Sequence, residues 1–191
     1  MIKEPKIDED ILMAENNLNL IKYINFILDE KSLKQSEISN LFDMIQARVS
    51  MLRNEKENVF KINYLFKLLH ILDKKIEFKL VDGQVLILRD KTNMSYEELN
   101  ELNTKELMKS LSYNFKELKL TEKEIAKILK ISQSRISNII HYDKYHNDFK
   151  IDSLLRYLHR LNLTFIFNFN SDNNSISLSS AKGDFFTFAE L

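Results

Sequence analysis

The run Gln46-Ala47-Arg48-Val49-Ser50 returns 87 residues later as Gln133-Ser134-Arg135-Ile136-Ser137. Glutamine and arginine are side chains with paired hydrogen-bonding atoms; in a DNA major groove, glutamine can pair at two points with adenine and arginine with guanine. Such a signature can do recognition rather than bond making. Nothing else in the chain offers competing chemistry. Cysteine is absent, which removes disulfides and thiolate metal ligands. There is no Gly-rich phosphate loop, His-Glu-x-x-His or nucleophile elbow. His141 and His146 lie in a polar loop with no Cys or further paired His nearby to complete a zinc site. His70 and His159 recur amid apolar neighbours, as buried polar contacts do. No catalytic constellation, cofactor motif or metal motif is expected.

The signature sits inside a longer repeat. From Leu33/Leu120 the two copies share Glu37/Glu124, Ile38/Ile125, Gln46/Gln133, Arg48/Arg135 and Ser50/Ser137, with apolar residues in step between them. After a two-residue insertion the match resumes with Phe60/Phe149, Ile62/Ile151, Leu65/Leu154, His70/His159 and Phe78/Phe167. Internal repeats decide architecture, so this one predicts two copies of one unit.

Each copy opens with an amphipathic helix, marked by Leu20, Ile21, Ile24, Ile27 and Leu28, or Leu107, Met108, Leu111 and Phe115. A short helix follows, Gln35 to Phe42 or Glu122 to Leu129, the second capped by the Thr121/Glu124 box. A turn at Asp43 or Lys130 leads to helices over about Ile45 to Arg53 and Ser132 to Ile140. Ser132 is a good N-cap and Ile45 a poor one. A further helix carries Ile62, Leu65, Phe66, Leu69 and Leu72, or Ile151, Leu154, Leu155, Leu158 and Leu161. The period then shortens to that of strands at Ile76–Arg89, around Asp82-Gly83, and at Phe165–Ser180, predicting a hairpin in each copy. Ser95 and Glu98 point to a short capped helix in the linking segment Thr92–Asn103. The expected fold is mainly α with small β hairpins: two tandem helix-turn-helix bundles related by a pseudo-two-fold, over residues 1–90 and 91–191.

Composition agrees. With 191 residues, 44% hydrophobic, the chain can build real cores, and two Gly and one Pro favour long helices over a turn-rich β fold. No apolar run approaches the roughly eighteen residues of a membrane span. The opening MIKEPKIDED lacks the apolar core of a signal peptide, so a cytoplasmic protein with no membrane partner is expected. Net charge is zero, which argues mildly against a polyanion partner, yet Lys119–Lys150 carries seven basic and four acidic residues while Asp90–Glu106 leans acidic. The acidic run Asp8-Glu9-Asp10 reads as a solvated helix start.

LTEKEIAKILKISQSRISNIIHYD, with DSLLRYLHRLNLTFIF after it, resembles the Cro/C1 (XRE) helix-turn-helix family and its HigA-like antitoxin branch. The resemblance covers about Asn103–Asn170, and more weakly Leu18–Val81. It departs from the family at the turn, where Asp43 or Lys130 stands in place of the usual glycine; lysine tolerates left-handed backbone poorly. The resemblance implies a DNA-binding transcription regulator or repressor with Gln133, Ser134, Arg135, Ser137 and Asn138, and Gln46, Ala47, Arg48, Ser50 and Met51, near DNA. It also implies phosphate-side roles for Gln35, Thr121 and Ser132; Glu122, where the other copy has Gln35, would repel phosphate. Ser132 could serve only as a cap, and the arginines could instead bridge to Glu37 and Glu124. The expected target is double-stranded DNA carrying an imperfect inverted repeat, read by two recognition helices of one chain, with the hairpins pairing edge to edge between copies. A homodimer, a toxin partner of an autorepressing antitoxin, and an adaptor that has lost DNA binding stay open alternatives.

Overall fold

The computed structural model describes residues 7–81, 84–89, 94–170, 175–180 and 185–186. The Asp82-Gly83 turn and residues 92–93 of the linking segment lie outside these. The first half runs α1 (Glu9–Glu30), α2 (Gln35–Leu41), α3 (Gln46–Arg53), α4 (Ile62–Ile71), β1 (Ile76–Val81) and β2 (Gln84–Arg89). The second runs α5 (Tyr96–Glu117), α6 (Glu122–Leu129), α7 (Gln133–Ile140), α8 (Tyr142–Tyr145), a 3-10 turn at His146–Asp148, α9 (Ile151–Arg160), β3 (Phe165–Asn170), β4 (Ser175–Ser180) and β5 (Phe185–Phe186). β1 pairs antiparallel with β2, and β4 pairs antiparallel with both β3 and β5.

Local chemistry sets the helix starts. The Asp8 carboxylate accepts from the backbone N–H groups of Asp10 (2.9 Å) and Ile11 (3.2 Å) at the head of α1. Ser95 and Glu98 close a capping box on α5, and Thr121 and Glu124 close one on α6. The Ser95 cap does not start a short linker helix. α5 continues unbroken to Glu117, because Leu99, Asn103 and Thr104 extend the buried stripe of Leu107, Met108 and Leu111 back to its first turns. The acidic residues that read as a linker are mostly its outer face.

Helix ends are set by left-handed residues. Ser32, Asp43, Asp73, Lys119, Lys130 and Asn162 all have positive φ, and with two glycines in the chain these non-glycine residues carry the conformation. Lys130 sits at φ 54°, ψ 42°, and the next residue's N–H returns to Ala126 (Ile131 N to Ala126 O, 3.1 Å), closing the end of α6. A left-handed non-glycine residue costs about 1–2 kcal/mol, part of which glycine forfeits through its greater unfolded-state entropy. Lys130→Gly is therefore expected to raise unfolding free energy by roughly 0.5–1 kcal/mol in a urea titration; a loss would show that the turn is not left-handed there.

The halves exchange helices. α1 packs on β3 and α5 packs on β1. Asn16 of α1 donates to the Phe165 carbonyl (3.0 Å) and accepts from the Phe167 N–H (2.8 Å). Asn103 of α5 donates to the Ile76 carbonyl (2.7 Å) and accepts from the Phe78 N–H (2.6 Å). Each buried amide thus satisfies strand groups that would otherwise be an unpaired sheet edge. The N-terminus of α4, whose N-cap Lys61 contributes no side-chain bond, is capped by Asp152 of α9, which accepts from Ile62 N (3.0 Å) and Asn63 N (3.2 Å). Asn63 returns the contact, accepting from Ile151 N at 3.0 Å. A carboxylate at a helix N-terminus is also favoured by the helix dipole.

Phe66, Phe78 and Phe167 meet beside this seam, and one cluster of buried side chains runs through both halves. The expected edge pairing of the hairpins is not what joins them: β1–β2 and β3–β4–β5 are separate sheets, with β2 lying beside β4 without a ladder. Helix-borne asparagines occupy the role that strand pairing was expected to fill.

Candidate nucleic-acid interface

In the second half, Ile136 and Ile139 are fully buried and anchor α7, which leaves Ser132, Gln133 and Ser134 exposed at its start. Ser132 Oγ accepts from Arg135 N (3.3 Å) and lies 3.0 Å from Ser134 Oγ, so it is a cap whose hydroxyl still borders the surface. Ser137 and Asn138 are half-buried. The Thr121 hydroxyl is committed to Glu124, donating to its carboxylate at 2.7 Å and accepting from its N–H at 3.3 Å. Glu122 is half-buried.

In the first half, Val49 and Leu52 anchor α3, and Gln46, Ala47, Arg48 and Met51 are exposed while Ser50 is half-buried. Gln35 donates to the Gln46 carbonyl (3.1 Å), tying the start of α2 to the start of α3. The N-cap Ile45 makes no side-chain cap and is 73% exposed.

The two signature arginines do not bridge to Glu37 or Glu124; those carboxylates accept from the backbones of Lys34 and Thr121. The Arg48 guanidinium lies 4.8 Å from the Tyr64 ring centre and 5.4 Å from that of Phe60. That of Arg135 lies 4.3 Å from the Phe149 ring centre, and its Nε donates to the Tyr157 hydroxyl at 3.1 Å. Cation–π seating of this kind is worth about 0.5–2 kcal/mol. The arginines therefore brace α3 and α7 on the segments that follow them. The signal was in the repeat itself, where Phe60 and Phe149 match, but Tyr64 and Tyr157 hold no equivalent places.

The acidic head of α1 is not simply solvated. Glu9 takes Arg160 Nε at 2.6 Å and Arg156 Nη1 at 2.8 Å, and Asp10 takes Arg156 Nη1 at 2.8 Å. Arg160 also donates to the Leu129 carbonyl at the end of α6, so this cluster ties α1 and α9 to the end of α6. Burial by itself raises the Glu9 pKa, but hydrogen bonds and charge from Arg160 and Arg156 outweigh it and hold the carboxyl below its ordinary value. A carboxyl lowered on folding stabilises above its unfolded pKa and stops doing so as pH falls through the folded one. Glu9→Gln should be less stable than the parent at pH 7, with the gap closing below about pH 4.5; a gap independent of pH would remove this role.

His159 is buried, with Nδ1 2.8 Å from Thr164 Oγ1 and Nε2 2.9 Å from the Ile7 carbonyl. His70 sets its ring against Tyr96. His146 places Nε2 3.0 Å from Glu101. Among the described residues no group of three or more His, Asp or Glu side chains is placed to hold a metal ion, and no helix is long and apolar enough to cross a membrane.

No curated protein and no solved structure matches the chain. Residues 11–80, from the first turn of α1 into β1, match the model of a family described as a helix-turn-helix domain. The match falls on the half whose resemblance to such proteins is the weaker by sequence. With α2, the Asp43 turn and α3 at its centre, the chain carries a helix-turn-helix domain, the architecture of DNA-binding regulators.

Proposed function

We propose that the chain is a sequence-specific regulator of transcription that binds double-stranded DNA through α3 and α7 together, as a pseudo-dimer within one polypeptide. The observation carrying this reading is the reciprocal exchange at the seam, Asn16 on β3 and Asn103 on β1, which holds two similarly built helix-turn-helix units in one core. Two-fold helix-turn-helix proteins set their recognition helices about 34 Å apart, one DNA turn. The corresponding starts QARVSM and QSRISN differ, so the target is an imperfect inverted repeat. Of the signature residues, Gln46, Gln133, Ser134 and Asn138 read base edges, and Arg48 and Arg135 keep the reading helices seated. Autorepression in the manner of the HigA-like proteins it resembles fits this reading.

The test is binding to duplex DNA from the region upstream of the gene, across a salt series. Gln133→Ala is expected to reduce the preference for the specific site by about 1–3 kcal/mol. Arg135→Ala is expected to weaken binding to all sequences alike and to lower stability, because it loosens α7 on Phe149 and Tyr157. A chain that prefers no sequence over bulk DNA at any salt is not this regulator.

A further inference from the structure

We infer that α3 reads its half-site through the methyl groups of thymine, with Ile45 and Met51 as the contacting side chains, whereas α7 reads by hydrogen bonds. This rests on the DNA-binding reading above.

Ile45 serves neither the core nor the helix end. It is 73% exposed, and it occupies an N-cap where it can make no bond to the free amides. Met51, six residues further on, is 42% exposed. At the corresponding positions of the second half stand Ser132 and Asn138, and Ala47 likewise faces Ser134 across the alignment. The two recognition surfaces have thus diverged in one direction, apolar on α3 and polar on α7. Arg48 is drawn back over Tyr64 and Phe60, which leaves Gln46 as the polar reader among exposed apolar groups.

The helix-turn-helix match over residues 11–80, with α3 near its centre, selects duplex DNA as the occupant, and the exposed Lys34, Lys56 and Lys61 flank α3 in sequence. In the major groove the apolar point is the C5 methyl of thymine, and Gln46 beside it suits the adenine of the same or a neighbouring pair.

The experiment uses the full chain and the duplex it selects from a random pool, with each half-site assigned by the loss of protection in Gln46→Ala or Gln133→Ala. Thymines are then replaced singly by deoxyuridine, which deletes the methyl and keeps every hydrogen bond. The expected result is weakening of about fourfold per contacted methyl in the α3 half-site alone. Ile45→Ser and Met51→Asn should abolish that sensitivity. Serine is the better cap, so the first variant keeps its fold. Selection of a site with no response to deoxyuridine, or a response unchanged in the two variants, overturns the inference while leaving DNA binding intact. So does a fall in oligomer size on Ile45→Ser with unaltered site preference, which would make the surface a protein contact. Failure to select any sequence removes the DNA-binding reading and this inference with it.

Discussion

Phe167→Ala is expected to lower the unfolding free energy by about 3–5 kcal/mol, a fifth or more of the roughly 5–15 kcal/mol that native domains possess. Phe167 is completely buried on β3. Its ring meets Phe66 of α4 edge-on at 5.8 Å and lies 6.5 Å from Phe78 of β1, so its two ring neighbours belong to the other half of the chain. The hole left by alanine cannot close easily. β3 is pinned at the adjacent carbonyl of Phe165 and at the Phe167 N–H by Asn16, and Phe78 is pinned at its own N–H by Asn103. The loss should therefore include a full cavity penalty on top of the lost transfer energy. Because the rings join both halves, far-UV circular dichroism should show one urea transition moved to lower denaturant rather than two. A separate early transition of the second half, or a loss below about 1 kcal/mol, would mean that the halves hold their cores independently.

What could be read from the sequence was local. Helix faces followed apolar spacing: Leu20, Ile21, Ile24, Ile27 and Leu28, and likewise Leu107, Met108, Leu111 and Phe115, are all buried. Thr121, Glu124 and Ser132 cap as their types demand. The strand spans came from the change of period and from Asp82-Gly83. The exchange of helices could not be read in this way. Asn16 and Asn103 interrupt apolar stripes and look like surface positions, because the groups they satisfy lie 149 and 27 residues away on strands that no local pattern assigns to them. The same limit applies to the site. An arginine at the third place of the signature carries no local sign that Phe149 and Tyr157, or Phe60 and Tyr64, are brought beneath it. Residue type gave the capacity for recognition; tertiary neighbours decide which side chains are left to exercise it. The acidic run at Glu9 teaches the same lesson, since its partners Arg156 and Arg160 are distant in sequence.

The sharpest consequence for function concerns Asn103. Asn103→Leu keeps nearly the same volume but orphans the Phe78 N–H and the Ile76 carbonyl, both inside the fold. Each buried, unpaired backbone group costs about 1–3 kcal/mol, so the substitution should cost about 2–4 kcal/mol after local relaxation. Asn16→Leu should cost a similar amount through Phe165 and Phe167. Amide exchange at Phe78 is expected to accelerate in Asn103→Leu, because its hydrogen bond to the side chain is gone. The effect on DNA follows from geometry. On the proposed pseudo-dimer reading, Gln133→Ala is expected to remove contacts to one half-site and leave the other intact. Loosening the Asn103 clamp instead slackens β1, and with it the first half, against α5. Binding to a two-half-site duplex should then fall toward that of a single half-site, and its dependence on half-site spacing should flatten. If Asn103→Leu keeps both the parental stability and a sharp optimum of spacing, the asparagine clamps are not what sets the two recognition helices in register.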